Sequence, residues 1–372
     1  MADTAQALDD YRLLGRSGLR ISPLCLGTMT FGTGWGWGCD RESSRAIFAA
    51  YAEAGGNFVD TADVYTHTQS EQYLGEFVND PAFGGRDRFV ISTKYSDNDP
   101  EVARGDPNAT GTHRKRMVKA VEDSLRRLKT DYLDMLSLHV WDGTTPVDEL
   151  MRAYDDLVRA GKVLYIGNSD TPAWKLVQLN DYAERHALSR IIATQVEYSL
   201  AARAVEREIV PMAIDTGLGL LCWSPLGGGL LTGKYTREHL DAQRQDTRTR
   251  PGGAARGVVL SEQKIAIAEA VIAIAESCGA TPAQVALRWL LEQTHVSAVL
   301  LGARSVEQLQ DNLGCLRVIL GQEQLARLDA VSRIDLGFPG EFLHRDPGAA
   351  HFVSGGTRVR RRIQQPVDFD PA

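Results

Sequence analysis

The sequence has few of the features that mark secreted, membrane-bound or metal-dependent proteins. Its 372 residues include five cysteines, an odd number without CxxC spacing, which argues against a disulfide framework. No apolar run reaches the roughly 18 residues that a membrane-spanning helix needs. The eight histidines include no HxH or HxxxH pair, which argues against a histidine-based metal site. We therefore expect reduced thiols, no membrane partner and no metal.

An excess of positive charge is also missing. Lysine and arginine total 41 against 48 aspartates and glutamates, and the resulting net charge of −7 disfavours a general affinity for nucleic acid. The segment from Met1 to Asp10 is polar and acidic, without the cationic start and apolar stretch of a signal peptide. A cytoplasmic protein without a nucleic-acid partner is expected. The oligomeric state stays open, and a homo-oligomer is among the options.

The sequence does contain a regular alternation of short β-type runs and amphipathic helical stretches. Its apolar content of 43% and charged content of 24% are typical of a globular domain. Strands are predicted near residues 24–26, 58–60, 90–93, 132–138, 163–167, 192–196, 218–223 and 298–301. Helices are predicted at 41–54, 70–78, 114–128, 147–160, 173–186, 205–216, 262–277 and 282–291.

Eight β-then-α units without a break predict a closed (β/α)8 TIM barrel, formed by a single domain over residues 1–372. The alternative is a doubly wound open sheet, which normally begins with a GxGxxG turn after its first strand. The glycines between Gly27 and Gly38 fit no such register, and two tryptophans among them would crowd a pyrophosphate. Three parts lie outside the repeat: an N-terminal β-hairpin at 11–23, a flexible loop at 236–257 and a C-terminal tail at 337–372.

Four reactive side chains lie at the ends of successive predicted strands. Asp60 and Tyr65 follow the second strand, Lys94 ends the third and His139 ends the fourth. Barrels keep their active sites at the carboxyl ends of their strands. Each residue alone has an ordinary structural explanation, such as a helix N-cap for Asp60 or a core aromatic for Tyr65. Their joint position indicates a site.

The chemistry of these residues fits carbonyl reduction. An isolated tyrosine has a pKa of about 10 and is a slow proton donor at neutral pH. The ammonium of Lys94 would lower the pKa of Tyr65, and Asp60 would keep that lysine protonated. His139 could hold a carbonyl oxygen by donating a hydrogen bond. This arrangement predicts Tyr65 as the proton donor.

Several segments together resemble the aldo-keto reductase superfamily. They are LGTMTFG at 26–32, DTADVY at 60–65, SEQYLG at 70–75, ISTK at 91–94, LH at 138–139, SPLG at 224–227, LLTGK at 230–234 and GARSVEQ at 302–308. The resemblance extends to about residue 334 and is greatest to the branch of aryl-alcohol dehydrogenases and potassium-channel β-subunits. It implies a barrel that binds NADP(H) in an extended pose and reduces an aldehyde or ketone. The implied catalytic tetrad is Asp60, Tyr65, Lys94 and His139.

The resemblance also implies which residues bind the cofactor and the substrate. Ser169, Asp170 and Gln195 would hold the nicotinamide carboxamide, and Trp223 would stack on the nicotinamide ring. The implied cofactor residues are Gly27, Thr28, Met29, Asp60, Ser169, Asp170, Gln195, Trp223, Ser224, Pro225, Leu226, Gly228, Leu230, Lys234, Gly302, Arg304, Gln308, Asp311 and Asn312. The expected residues of the substrate mouth are Trp35, Trp37, Val64, His67 and Trp141, together with the tail near residues 338–342.

Some of these assignments have physical support or competing explanations. The planar fork of Arg304 could pair with the 2′-phosphate of the adenosine. Gln308 would equally complete a helix capping box with Ser305. Lys234 could be a solvated loop lysine.

The sequence departs from the family pattern at three places. Asp170 stands where asparagine is common, and a carboxylate accepts hydrogen bonds but does not donate them. Trp223 stands where tyrosine or phenylalanine is frequent, and residues 66–68 replace glycines that commonly follow the tyrosine. None of these changes affects the tetrad, but the last alters the substrate mouth.

Two other functions compete with that of a reductase. A non-catalytic cofactor-binding regulatory subunit, like the channel β-subunits, would keep both the barrel and the cofactor. A metal-dependent barrel hydrolase is disfavoured by the missing histidine pairs. The aromatic residues at the mouth suggest a flat aromatic substrate, while keto-sugars and secondary-metabolite ketones stay open, as does the preferred direction of reaction.

Overall fold

The computed structural model of the protein describes residues 6–245, 259–344 and 355. By compactness the chain divides into two units, Met1–Arg333 and Ile334–Ala372, and each is described by itself. The predicted single domain over residues 1–372 stays a prediction. All five cysteines are free thiols.

Eight parallel strands of the first unit form a closed barrel. In the described residues, the hairpin strands are β1 (Arg12–Leu13) and β2 (Arg20–Ile21), and the barrel strands are β3 (Leu24–Gly27), β4 (Phe58–Asp60), β5 (Val90–Tyr95), β6 (Leu133–Leu138), β7 (Val163–Ser169), β8 (Ile191–Glu197), β9 (Gly219–Trp223) and β10 (Val296–Leu301). The barrel strands pair in chain order, and β10 pairs with β3 to close the sheet. The (β/α)8 barrel and the N-terminal hairpin are therefore confirmed.

Helices follow the barrel strands along the chain. They are α1 (Arg41–Glu53), α2 (Gln69–Val78), α3 (Pro100–Ala103), α4 (Arg114–Leu128), α5 (Val147–Arg159), α6 (Ala173–Arg185), α7 (Ile209–Thr216), α8 (Arg237–Gln245), α9 (Glu262–Cys278), α10 (Pro282–Leu291), α11 (Val306–Leu313) and α12 (Gln322–Ser332), with α13 (Gly340–His344) in the second unit. In the described part of the chain, no single helix is long and apolar enough to cross a membrane; the bent pair of α9 and α10 passes that test on length and composition alone.

Helices α3, α11 and α12 lie outside the predicted helices, and the predictions differ from the structure in two further regions. The predicted helix at 205–216 is broken, with a 3-10 turn at Ala204–Arg207 before α7. The break agrees with Pro211, whose ring would clash with the carbonyl four residues earlier in a continuous helix. The predicted flexible loop at 236–257 begins instead with α8, and its remainder from 246 lies outside the described residues, as do residues 345–354 and 356–372 of the predicted tail.

Alternate residues of each strand face two different apolar layers. The residues between the sheet and the helices include Leu26, Val59, Ile91 and Leu136. The residues inside the barrel are Cys25, Phe58, Val90, Met135, Ala193, Leu221, Ala298 and Leu300. Leu14 and Ile21 of the hairpin segment belong to the inner cluster, so the hairpin closes one end of the barrel.

The hairpin lies very close to the barrel at Gly15. This glycine has a left-handed φ of +54°, and a Cβ there would lie 2.2 Å from the carbonyl oxygen of Ile192. A side chain at this position is excluded both by the backbone conformation and by the space available.

The period-two pattern also selects the residues at the open end of the barrel. Phe58 lies inside the barrel, so Asp60, two positions later, points to the same side. By the same rule, Lys94 points to the same side as Val90, four positions earlier, and His139 points to the same side as Met135. The strands therefore bring the acid, the lysine and the histidine to the inner face at their carboxyl ends.

Buried ion pairs lie beside the segment that connects Asp60 to α2. Asp63 pairs with Arg116 of α4, and both side chains are buried. Glu71 of α2 pairs with Arg127 at 2.5 Å and accepts a hydrogen bond from Thr93 at 2.6 Å. Burial raises the pKa of Asp63 to about 7, although Arg116 opposes the shift. These contacts hold the segment between β5, α2 and α4.

We predict that Arg116→Met destabilises the fold by roughly 3–5 kcal/mol, because the variant leaves Asp63 buried without its partner. A carboxyl group whose folded pKa lies above its unfolded value of about 4 loses stabilisation as the pH rises through the folded pKa. Without Arg116 the pKa of Asp63 rises further, so the variant should lose more unfolding free energy at pH 8 than at pH 5. Urea unfolding of both proteins at the two pH values measures it.

The matched control is Arg126→Met on the same helix. The Arg126 side chain is 71% exposed and pairs with Asp123, so its loss should cost less than about 0.5 kcal/mol. Equal unfolding free energies for wild type and Arg116→Met would contradict the prediction, as would a loss that does not change with pH.

Candidate active site

A pocket of about 1540 Å³ opens at the carboxyl ends of the barrel strands. Single small-molecule sites usually measure roughly 300–1,000 Å³, so this pocket has room for two components. The predicted site residues in its wall are Gly27, Met29, Trp35, Trp37, Asp60, Val64, Tyr65, His67, His139, Ser169, Asp170, Gln195, Trp223, Ser224, Pro225, Leu226, Gly228, Leu230, Gly302, Arg304, Gln308 and Asn312. A smaller cleft of about 370 Å³ between α9 and α12 contains none of the predicted residues.

Five predicted site residues do not form part of the pocket wall. Lys94 is buried behind Tyr65, and Thr28 is buried with its hydroxyl donating to the Asp60 carbonyl at 3.0 Å. The remaining three have other neighbours. The ring of Trp141 lies under Lys175, the Lys234 ammonium lies over the Tyr235 ring, and the Asp311 carboxylate accepts hydrogen bonds from Thr281 and Gln284. Their predicted roles in binding stay predictions.

The tetrad is built around the buried ammonium of Lys94. Its Nζ forms an ion pair with Asp60 Oδ2 and donates to the Thr61 carbonyl at 3.0 Å and to Tyr65 Oη at 3.2 Å. The other oxygen of Asp60 accepts a hydrogen bond from Gln195 Nε2 at 2.9 Å. An ammonium has three donors, so the three contacts occupy all of them and fix its position.

Burial and charge oppose each other in the pKa values of this group. Burial alone would lower the pKa of Lys94, but Asp60 and Tyr65 outweigh it and the net shift is upward. The pKa of Tyr65 is also raised, because burial outweighs the lowering by Lys94 and Asp60 adds to the rise. Lys94 does act to lower the pKa of Tyr65, but the prediction that the pKa falls overall is wrong. The phenol stays protonated at neutral pH, which is the form that a proton donor requires.

His139 is neutral and lies beside the phenol. Burial and the charge of Lys94 lower the pKa of His139 to about 3. Its ring stands edge-on to that of Tyr65, with 5.7 Å between centroids. Its Nδ1 is buried without a hydrogen bond among the described residues, and the nearest carboxylate oxygen, from Asp97, is 3.8 Å away. A neutral imidazole carries one N–H, so His139 can donate one hydrogen bond without adding positive charge.

Two departures from the family pattern contact each other. Trp223 at the end of β9 donates its indole N–H to Asp170 Oδ1 at 3.1 Å. Asp170 has a left-handed φ of +40°, and its backbone N–H donates to the Gln195 carbonyl at 3.2 Å. Burial raises the pKa of Asp170, and the hydrogen bond from Trp223 opposes that rise. The carboxylate therefore orients the indole plane at the wall of the pocket.

The loop after β9 offers backbone donors to an anion. Ser224, Gly227, Gly228 and Gly229 have left-handed φ values of +51°, +56°, +65° and +90°. Turns of this kind can present N–H donors to an anion. The N–H groups of Gly227 and Gly229, however, donate within the loop, to the Ser224 and Leu226 carbonyls at 2.9 and 3.0 Å. Lys264 at the start of α9, which was not among the predicted site residues, also lines the pocket and adds a cation. The chemistry of this part of the pocket fits phosphate groups.

A further cation lies at the start of α11. Arg304 is exposed, and its backbone N–H donates to Gln308 Oε1 at 2.9 Å. Ser305 caps the helix by accepting from the Gln308 N–H at 3.3 Å. The capping explanation for Gln308 therefore holds in part, with its side chain bound to Arg304 rather than to the cap residue.

Two further parts of the pocket wall were not predicted from the sequence, and one of them is the end of β8 with the loop after it, namely Glu197, Ser199, Ala201 and Ala202. The loop after β5 contributes Asp97, Asn98, Asp99 and Pro100. An Asp-Pro step of this kind marks a helix start, and Asp99 does cap α3. That signal predicts a helix turn but not the direction of the loop. Among the described residues, no group of three or more histidines, cysteines, aspartates or glutamates could hold a metal ion.

Comparisons with known proteins agree with this geometry. A sequence model described as the aldo/keto reductase family matches residues 23–333, which include all four tetrad positions. The chain is 38% identical over 339 residues to norsolorinic acid reductase stcV of Emericella nidulans, covering 89% of this chain and 83% of that protein. It is 34% identical over 364 residues to putative aryl-alcohol dehydrogenase AAD14 of Saccharomyces cerevisiae, covering 96% and 95%. It is 35% identical over 355 residues to aldo-keto reductase ausK of Aspergillus calidoustus, covering 91% and 86%.

Proposed function

Because this chain belongs to the aldo/keto reductase family, we propose that it is an NADPH-dependent enzyme that reduces an aldehyde or ketone to an alcohol. The observation that carries the proposal is the contact of the Lys94 ammonium with both Asp60 and Tyr65 Oη. It places a protonated phenol at the wall of a pocket large enough for a cofactor and a substrate. A cytoplasmic location is part of the proposal.

The residues of the pocket fit the chemical groups of NADPH. Trp223 offers an aromatic face for the nicotinamide, and Ser169, Asp170 and Gln195 offer hydrogen-bonding groups for its carboxamide. The turns at 224–229 line the part of the pocket where the pyrophosphate would bind, and Arg304 supplies a cation for the 2′-phosphate. When bound, the cofactor supplies the hydride that reduces the carbonyl carbon.

The side chains of the tetrad donate the proton and stabilise the phenolate that forms. Tyr65 donates its phenolic proton to the carbonyl oxygen, and Lys94 stabilises the phenolate that remains. Asp60 keeps the lysine protonated in its buried position. The neutral His139 donates a hydrogen bond to the same carbonyl oxygen and orients it. In the reverse direction, the phenolate of Tyr65 is the base that accepts the proton of the alcohol.

Flat aromatic carbonyl compounds fit the entrance of the pocket best. Trp35 lies 5.5 Å from Trp37 and 6.2 Å from Tyr65 between ring centroids, so aromatic faces lead to the proton donor. Similar proteins include reductases named for norsolorinic acid and a putative aryl-alcohol dehydrogenase, which agrees with an aromatic substrate. A non-catalytic regulatory subunit, the alternative function, would bind the cofactor but would not consume it with any carbonyl compound.

The first prediction of the proposal concerns the proton donor. Tyr65→Phe keeps the aromatic ring but removes the acid, so reduction should fall by about 10² or more. The affinity for NADPH should change little. NADPH consumption with a panel of aromatic aldehydes measures the rate, and Tyr11→Phe in the exposed hairpin segment is the matched control. Near-normal turnover by the Tyr65 variant would remove this residue from the mechanism.

The second prediction concerns the choice of cofactor. Arg304→Ala should weaken NADPH binding by about 1.5–3 kcal/mol, the usual contribution of a hydrogen bond to a charged group. NADH has no 2′-phosphate and should bind almost as before. Titration calorimetry with both cofactors measures the difference, with the exposed Arg317→Ala as a control. Equal losses for the two cofactors would show that Arg304 does not bind the 2′-phosphate.

The third prediction concerns the indole that Asp170 orients. If Trp223 stacks on the nicotinamide, NADPH should quench part of the tryptophan fluorescence, and Trp223→Tyr should remove much of that quenching while binding stays tight. Trp35 and Trp37 lie in the same pocket and could also be quenched, so a double Phe variant of these two is the control. Unchanged quenching in Trp223→Tyr would exclude the proposed stacking.

A further inference from the structure

The mouth of the pocket contains a histidine–aspartate pair that the proposed reaction does not use. His67 Nδ1 lies 2.7 Å from Asp99 Oδ2. His67 belongs to the loop after β4 and Asp99 to the loop after β5, so the pair connects two loops across the mouth. The Asp99 side chain is 3% exposed, whereas that of His67 is 34% exposed and lines the pocket. The pair therefore consists of a buried carboxylate and an imidazole ring that is accessible from the pocket.

The buried carboxylate fixes the hydrogen on the imidazole ring. Asp99 uses its other oxygen, Oδ1, to accept the Glu101 N–H at 3.0 Å as the cap of α3, which holds the carboxylate in place. A carboxylate only accepts hydrogen bonds, so Nδ1 of His67 must be the donor. In the neutral ring, Nε2 is then a hydrogen-bond acceptor. Among the described residues Nε2 has no hydrogen-bond partner, and it is not buried.

The position of His67 relative to the proton donor is set by one aromatic side chain. Trp35 contacts both residues edge-on, with centroids 6.4 Å from His67 and 6.2 Å from Tyr65. A flat substrate whose carbonyl reaches Tyr65 would therefore extend along Trp35 toward His67.

The backbone at His67 is also unusual. Thr66, His67 and Thr68 all have left-handed φ values, of +50°, +54° and +74°. Such conformations cost free energy in residues other than glycine and persist where the surrounding structure enforces them. The Thr66 hydroxyl contributes by donating to the Phe31 carbonyl at 2.6 Å. Strain of this kind is typical of functional positions.

The charge of this wall restricts the substrate further. Asp97 is 45% exposed and lines the same wall as Asp99, with Asn98 between them. The described residues of the loops at 64–67 and 97–100 that line the pocket include no lysine or arginine. An anionic substrate would meet two carboxylates here, whereas a neutral hydroxyl group would meet an acceptor.

From this geometry we propose that His67, fixed by Asp99, is a specificity-determining residue that accepts a hydrogen bond from a hydroxyl group of a neutral aromatic carbonyl substrate. The inference rests on the proposed function only for the place of the carbonyl group beside Tyr65. It predicts that the physiological substrate carries a hydroxyl group at the end of the aromatic system opposite the reacting carbonyl.

The test compares three aldehydes with the same naphthalene framework: a hydroxynaphthaldehyde, its methyl ether and the corresponding carboxynaphthaldehyde. The wild type should prefer the hydroxyl compound over the ether by about tenfold, which corresponds to about 1.4 kcal/mol and to one neutral hydrogen bond. The carboxylate should be the poorest of the three. The preference should appear in KM rather than in kcat, and in the Kd measured by quenching of tryptophan fluorescence.

Variants of the pair separate hydrogen bonding from shape. His67→Phe keeps a ring but has no acceptor, so the hydroxyl-to-ether ratio should fall to about one, within roughly twofold. His67→Gln should retain part of the preference, because its amide oxygen accepts. Asp99→Asn keeps a residue that caps α3 but no longer fixes which ring nitrogen carries the hydrogen, so an intermediate ratio is expected. The exposed His186→Phe is the matched control and should keep the wild-type ratio.

The outcomes distinguish this inference from the proposed function. An unchanged hydroxyl-to-ether ratio in His67→Phe would overturn the inference while leaving the reductase in place. If the wild type consumed no NADPH with any aldehyde, the proposed function would fail, and the Kd ratios alone would decide the role of His67. A wild-type preference for the ether or the carboxylate in both KM and Kd would also overturn the inference.

Discussion

The buried ion pair between Lys94 and Asp60 is the constraint on which the rest of the site depends. Moving an ammonium out of water costs several kcal/mol, so the lysine is stable only where partners satisfy all its donors. Asp60, the Thr61 carbonyl and Tyr65 Oη do so, and Gln195 holds the second oxygen of Asp60. These contacts stabilise the buried ammonium, and they also fix the phenol at the pocket wall. Stability and the proposed proton transfer would therefore depend on the same few hydrogen bonds.

Around this centre the structure holds the segment between β4 and α2 from two sides. On one side it contacts Lys94, and on the other Asp63 pairs with Arg116. The inner ion pair and the outer one are both buried, so neither can be broken without leaving a charge unpaired. This arrangement explains how a segment without regular secondary structure can present Tyr65 in one position.

The barrel interior and the loops contribute differently to function. The period-two pattern of the strands sets the positions of Asp60, Lys94 and His139, and the segment after β4 adds Tyr65. The strand ends and the loops supply two further pairs at the pocket, Trp223 with Asp170 and His67 with Asp99. Both pairs join an aromatic ring to a carboxylate that orients it.

The sequence by itself determined the barrel, the hairpin and the strand ends that carry Asp60, Lys94 and His139, because alternation and turn residues are local signals. It also identified most of the residues in the pocket wall through family motifs. Only the tertiary structure decided the direction of the pKa shift of Tyr65, since burial is a sum over neighbours from many elements and outweighs the single contact with Lys94. It alone placed Asp99 against His67, because loop side chains follow no period that a sequence could reveal.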